Sequence, residues 1–382
     1  MSTPESLRAV LTDIHTTPHL GVISFAGAGA QALAWLHSVG GSSRTVLEAT
    51  DHYAAASLVQ AVGFEPEQFT SERVGAALAA RAYARAQELA PGRSVFGLGC
   101  TASIATDRPK RGEHRAWVAV RDTFGTTFYA PTLTKGERTR QGEEEVVSRL
   151  IVRAVAEACG LRDFPGGEEV EAHLEPEPDL QALLSDEAAW AIAHPDGSLQ
   201  TGQEGETLPR AALLSGSFNP LHQGHRELAE TAARHLGREV HFELPLVNAD
   251  KAPIDLPEAR RRAAQFAAYA PLVLTRTPLF GQKADLFPGS VFIIGADTAA
   301  RLVEPRFYGG EAEMTSALEH LEAAQCRFLV AGRQSQKGET RFLTLQDIDI
   351  PNAHRDLFEA LPEEVFRRDI SSSALRAEEG LR

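Results

Sequence analysis

Two histidines three positions apart, His222 and His225, stand in the segment Gly216-Ser217-Phe218-Asn219-Pro220-Leu221-His222-Gln223-Gly224-His225. An imidazole donates hydrogen bonds to phosphate oxygens, and a glycine between two of them lets the backbone come close to a ligand. The flanking residues predict where the pair sits. Ala211-Ala212-Leu213-Leu214 is a short apolar run of the kind that makes a buried strand, and Leu228, Ala229, Ala232, Ala233 and Leu236 recur at helical spacing. The histidines therefore fall between the carboxyl end of a strand and the start of a helix, where open α/β sheets bind ligands and where helix amides and dipole favour an anion. Two more segments have donors in useful places. Val291-Phe292-Ile293-Ile294-Gly295-Ala296-Asp297-Thr298 is a hydrophobic strand running into a Gly-x-Asp turn, and Ile370-Ser371-Ser372-Ser373-Ala374-Leu375-Arg376 puts three hydroxyls and a guanidinium at a helix start. Each also has a structural reading when taken singly: the histidines as a cap, the serines as an N-cap cluster, Gly-Ala-Asp as a turn. His222 and His225 could share a metal on one helix face, but no third ligand is evident, so no structural metal site is expected.

Together, and in this order, the three segments resemble the signatures of the nucleotidyltransferase superfamily. The pair matches its H-x-G-H, and the Gly216–Pro220 lead-in is most similar to its nicotinamide-nucleotide adenylyltransferases. Residues 370–376 are similar to its I-S-S-T-x-I-R, with Ser for Thr at 373 and Leu for Ile at 375. The resemblance implies a Rossmann-like doubly wound parallel sheet over 210–382. It also implies in-line attack by an acceptor phosphate on the α-phosphate of a nucleoside triphosphate, with pyrophosphate leaving. In that scheme His222, His225 and Arg376 are catalytic: the histidines meet the α-phosphate, while Ser371, Ser372 and Arg376 hold the β- and γ-phosphates. Gly216, Ser217, Phe218, Gly224, Lys251, Gly295, Asp297 and Ser373 complete the implied nucleotide site. Lys251 falls where the family often has a phosphate-binding lysine, with a solvated surface lysine as the alternative. Mg2+ is the implied cofactor, ATP the implied donor and nicotinamide mononucleotide the first acceptor. The tryptophan that many of these adenylyltransferases place after the Gly-x-Asp turn is missing. Arg301-Leu302-Val303-Glu304-Pro305-Arg306-Phe307-Tyr308 stands there instead, with Phe307 or Tyr308 as substitute stacking rings. A cytidylyltransferase acting on a phosphorylated alcohol, and a nucleotide-binding sensor without turnover, stay open.

Composition bounds the rest. A chain of 382 residues with 43% hydrophobic and 24% charged residues has the balance of about two globular domains. A formal net charge of −14 gives no support for nucleic-acid or anionic-membrane partners. Cys100, Cys159 and Cys326 are widely spaced with no C-x-x-C pair, which points to a reducing compartment; with no apolar run of membrane length, a cytoplasmic enzyme is expected.

Residues 1–162 are expected to form a second α/β domain. Val22-Ile23-Ser24-Phe25 reads as a strand, Gly27-Ala28-Gly29-Ala30-Gln31-Ala32 as G-x-G-x-x-A before a helix through Leu33, Leu36 and His37, and Arg44–Glu48 as a second strand ending in an acid. Alone, that is a dinucleotide-binding pattern. The wider pattern is more similar to the nicotinamide-nucleotide amidohydrolase family, the C-terminal domain of competence/damage-inducible protein A. It rests on Val39-Gly40-Gly41-Ser42-Ser43, Tyr53, a Gly97-Leu98-Gly99-Cys100-Thr101 turn, the strand Ala116–Val120 and a helix around Val146 to Cys159. Aligned on Gly41-Ser42-Ser43, that family's nucleophilic serine becomes Ala26 and its lysine becomes Leu58, so the resemblance implies a catalytically degenerate domain, with homo-oligomerisation as one role left to it. Between the domains, 163–209 is acidic and rich in Gly and Pro and reads as a linker. Within it, His194-Pro195-Asp196-Gly197 has the composition of a tight hairpin turn.

Overall fold

The computed structural model describes residues 3–107, 112–161, 164–165, 170–203, 205–247, 253–334 and 342–367. The chain divides into two compact units, one of Met1–Gln181, Ala193–Leu199 and Asp255–Tyr269, the other of Ala182–Ile192, Gln200–Ile254 and Ala270–Arg382.

The first unit opens with α1 (Glu5–Thr16), whose Leu7, Val10, Leu11 and Ile14 recur at helical spacing and are buried. β1 (Leu20–Ala26) is buried along its whole length, as befits a strand covered on both faces. Then come α2 (Ala30–His37), β2 (Val46–Asp51), α3 (Ala55–Val62), α4 (Glu72–Leu89), β3 (Val95–Ser103), β4 (Arg115–Asp122), β5 (Gly125–Ala130), α5 (Arg140–Ala158) and β6 (Glu171–Pro176). These strands form one sheet in the order β2-β1-β3-β4-β5-β6. β2, β1 and β3 run parallel, and every pairing from β3 to β6 is antiparallel. The expected turn over Gly97–Thr101 is instead the middle of β3. Its glycines serve close packing: a Cβ on Gly97 would lie 2.1 Å from the Tyr83 nitrogen, and one on Gly99 would lie 2.3 Å from the Gly75 carbonyl oxygen, both on α4.

The acidic stretch read as a linker also carries regular structure. Its described residues include β6, α6 (Pro178–Leu184), β7 (Ala188–Ala193) and β8 (Leu199–Gln203). Leu174, Leu180, Leu183, Trp190 and Ile192 are all buried, and these few apolar anchors outweigh the acidic composition around them. The turn over 194–197 forms as expected, with Gly197 at φ +85° and the His194 amide donating to the Ser198 carbonyl.

The second unit continues with β9 (Ala212–Ser215), α7 (Gln223–Leu236) and β10 (His241–Pro245). α8 (Leu256–Ala264) follows in sequence but falls in the first unit, where Arg260 is held by Asp122 at 2.5 Å with only 2% of its side chain exposed. The second unit resumes with β11 (Leu272–Thr275), α9 (Phe280–Leu286), β12 (Val291–Gly295), α10 (Ala296–Leu302), α11 (Glu311–Ala323), β13 (Arg327–Ala331), β14 (Arg333–Gln334), β15 (Phe342–Leu343) and β16 (Phe358–Ala360). Its main sheet has the order β16-β13-β12-β9-β10-β11-β7-β8, while β14 and β15 pair separately. The run from β11 to β16 is parallel throughout. Numbered from β9, that run reads 3-2-1-4-5-6, the doubly wound order, which reverses direction between β9 and β12. Thus the expected Rossmann-like parallel sheet is present, and its crevice opens where the H-x-G-H and Gly-x-Asp segments leave the sheet.

Candidate active site

Ser215 ends β9, and the chain turns at once. The Gly216 amide donates to the Glu243 carbonyl at 3.0 Å, which ties the turn to the neighbouring strand β10. Gly216 has to lack a side chain, because a Cβ there would meet the Phe218 ring at 2.7 Å. Phe218 holds a positive φ of 45° and is fully buried, its ring set edge-on to Phe242 at 5.4 Å and to His225 at 5.2 Å. A buried aromatic thus anchors the loop from beneath while Ser217 beside it stays exposed.

His222 is the N-cap of α7 and His225 sits three positions on, at the third helical residue. The two half-buried rings stack with centroids 3.7 Å apart and planes 24° from parallel. The His222 backbone N–H donates to Nδ1 of His225 at 3.3 Å. A ring nitrogen that accepts carries no proton, so neutral His225 keeps its proton on Nε2, the edge that can donate to an oxyanion. The pair therefore caps its helix with the Nδ1 edge of His225. Gly224, between them, is buried.

On the other side of the crevice β12 runs beside β9, with Ile293 level with Leu214. Gly295 and Gly216 each lie two residues beyond that last pair. Gly295 is the N-cap of α10, and Asp297 is exposed in its first turn. The sequence-predicted residues Gly216, Ser217, Phe218, His222, Gly224, His225, Gly295 and Asp297 are thus collected at two adjacent strand ends. Lys251, Ser371, Ser372, Ser373 and Arg376 lie outside the described residues. Of the two substitute stacking rings, Tyr308 packs against the core and donates its hydroxyl to the Leu302 carbonyl at 3.0 Å. Phe307 is exposed, with the guanidiniums of Arg301 and Arg306 at 4.8 and 4.9 Å from its centroid.

Sequence reasoning missed the charges beneath this loop. Lys283 on α9 and Glu243 on β10 form an ion pair of 2.5 Å with side-chain exposures of 3% and 0%. Thr275 donates to the other oxygen of Glu243 at 2.6 Å, and Lys283 also reaches Ser215 Oγ at 3.3 Å. No spacing rule joins positions 243, 275 and 283. The usable signal was a glutamate in the middle of the strand Phe242-Glu243-Leu244, where burial demands a partner.

In the first unit, the glycine-rich turn has the conformation of an anion cradle, with Gly27 and Gly29 at φ +87° and +111°. Its occupant is the protein's own carboxylate. Glu144 accepts from the Gly29 amide at 3.0 Å and the Gln31 amide at 3.2 Å. These are amides a dinucleotide fold would turn toward pyrophosphate, so the G-x-G-x-x-A segment is not available for that purpose. Burial, reinforced by Glu144, lifts the nearby Asp51 carboxyl above its ordinary range. Ala26 and Leu58 meet in one buried apolar cluster with Ala61, Val74 and Leu78. The positions aligned with the serine and lysine are therefore neighbours, but neither carries a reactive atom. The Thr101 hydroxyl, opposite Ala26 on β3, donates to the Phe69 carbonyl at 2.7 Å.

Comparison with known proteins bears on both units. Residues 213–378 match the family described as cytidylyltransferase-like. No curated protein matches the chain. Among solved structures, competence/damage inducible protein CihA from Agrobacterium tumefaciens is 19% identical with a TM-score of 0.33, covering 41% of this chain and 96% of its own. A competence or damage-inducible protein from Enterobacter asburiae is 14% identical with a TM-score of 0.32, covering 40% of this chain and 94% of its own. The CinA superfamily protein of Escherichia coli is 11% identical with a TM-score of 0.30, covering 41% and 85%. These likenesses fall on the N-terminal region. The part of the chain that matches the cytidylyltransferase-like family is thus the part that carries the H-x-G-H pair at the switch point of a 3-2-1-4-5-6 sheet.

Proposed function

We propose that this domain transfers a nucleoside monophosphate from a triphosphate, ATP first, to nicotinamide mononucleotide, and that pyrophosphate leaves. The observation that carries the reading is the stacked His222/His225 pair at the start of α7, at the point where strand order reverses. The attacking phosphate is already an anion, so no general base is required. Catalysis then consists of holding two anions in line and stabilising charge on the transferring phosphoryl group. The α7 amides and His225 Nε2–H serve that charge, and Arg376 with Ser371 and Ser372 takes the departing pyrophosphate, as the family resemblance implies. Magnesium suits this set of donors, because it keeps most of its waters and is held by substrate phosphates plus one or two carboxylates. Asp297 is the exposed carboxylate at the crevice. When bound, the ion neutralises charge on the triphosphate.

A second reading, cytidylyl transfer to a phosphorylated alcohol, is favoured by the family match and by the fate of the candidate stacking rings. Tyr308 is committed to the core, and Phe307 carries guanidiniums in place of an open face. Protein incubated with magnesium, ATP and nicotinamide mononucleotide should yield dinucleotide and pyrophosphate in equal amounts. Product only with CTP and a phosphorylated alcohol would select the second reading, and tight nucleotide binding without any product would mean a sensor.

A further inference from the structure

The Glu243–Lys283 pair is an odd thing to find beneath a catalytic loop. Both charges are withdrawn from water, and replacing such a pair with apolar residues of similar volume is often neutral or stabilising. Its role therefore lies in what it touches. Glu243 reaches the head of the His222/His225 loop by two routes. Its backbone carbonyl accepts the Gly216 amide at 3.0 Å. Its carboxylate holds Lys283 at 2.5 Å, and Lys283 in turn holds Ser215 Oγ at 3.3 Å. Thr275, on the next strand, fixes the second carboxylate oxygen at 2.6 Å, and the Phe280 ring lies 5.2 Å from the ammonium. The middle of β10, the end of β11 and the helix α9 are thus bound through one carboxylate, and through Lys283 the end of β9 is added to them.

We infer that Glu243 and Lys283 are positioning residues for phosphoryl transfer: they fix Ser215 and Gly216, and through them the line along which His222 and His225 face the crevice. This rests on the nucleotidyl-transfer reading for its kinetic consequence but not for its structural one. Removing Lys283 alone would strand a buried carboxylate and threaten folding. The test therefore uses a volume-conserving triple variant, Glu243→Leu, Lys283→Met and Thr275→Val, which leaves neither a charge nor that hydroxyl unpaired. It should fold with a melting temperature equal to or above that of the unaltered protein. Its kcat should fall by about a hundredfold, the size expected for a displacement of about 1 Å in a positioned group, with the KM for triphosphate changed much less. Amide hydrogens over 216–225 should exchange at least about tenfold faster, since Ser215 at the loop head has lost its side-chain hold on Lys283 while only the Gly216 backbone bond remains. A folded triple variant with unaltered kcat and unaltered exchange overturns the inference. If the unaltered protein releases no pyrophosphate at all, the nucleotidyl-transfer reading fails instead, and the exchange comparison still decides whether the pair holds the loop.

Discussion

At the scale of single residues the candidate site is economical, for the Nδ1 of His225 accepts the His222 amide, which leaves the proton of the neutral ring on Nε2. His225→Ala removes the cap acceptor and the donor together. Turnover should drop by roughly a hundredfold or more, in line with loss of one preorganised donor to a developing anion. Steady-state kinetics on a variant with an unaltered melting curve check this. Gly216→Ala is a second prediction: a Cβ 2.7 Å from the Phe218 ring has to displace the loop, so kcat should fall while the global fold persists. An active Gly216→Ala protein with unchanged kcat would show that Phe218 yields easily. The thiols supply a third. Burial pushes Cys159 up to about 12 and raises Cys100 and Cys326, and all three are buried. Because the thiolate is the nucleophile, iodoacetamide at pH 8 should label none of them in the folded protein and all three after denaturation. Much of this scale was legible in sequence, since the H-x-G-H segment announces its chemistry through residue type. Lys283 was not, because nothing local distinguishes a lysine that will be buried against Glu243 from one that will face water.

Among the elements, the parallel strands were readable from apolar runs and the helices from their periodicity. Errors came where composition stood in for packing. Gly97 and Gly99 read as a turn but form a flat strand surface against α4. The acidic stretch read as a linker contains Leu174, Trp190 and Ile192, which bury and so make it part of the sheets. α8 illustrates a different limit: its sequence lies between β10 and β11, yet it belongs to the first unit through the Arg260–Asp122 pair and the bond from His19 Nε2 to the Ala264 carbonyl at 2.8 Å. That histidine yields a prediction about pH. Desolvation lowers the pKa of His19 below its ordinary 6.5, and desolvation likewise lowers that of His15. Both are held neutral in the fold, whereas the unfolded chain takes up their protons near the ordinary value. Stability from keeping them neutral is present above about pH 6.5 and is lost as pH falls below it. The melting temperature should therefore drop between pH 7.5 and 5.5. His19→Gln, which cannot titrate, should flatten that profile, and an equally steep profile in the variant would assign the effect elsewhere.

For the molecule as a whole, two α/β units share one chain, and the geometry gives them unequal chemical equipment. Among the described residues no helix is long and apolar enough to cross a membrane. In the first unit the positions aligned with a hydrolase's serine and lysine are Ala26 and Leu58, joined in an apolar cluster, and the glycine-rich turn is filled by Glu144. The protein should accordingly release no ammonia from nicotinamide mononucleotide, and steady release would point to another hydroxyl, Thr101 first. In the second unit the crevice between β9 and β12 gathers imidazoles, amides and a carboxylate at one switch point. The most direct measurement is pyrophosphate release by the purified chain with magnesium, ATP and nicotinamide mononucleotide, run beside His225→Ala. The account predicts release by the unaltered protein that falls about a hundredfold in the variant; equal release by both, or none from any pairing of triphosphate and phosphorylated acceptor, would contradict it.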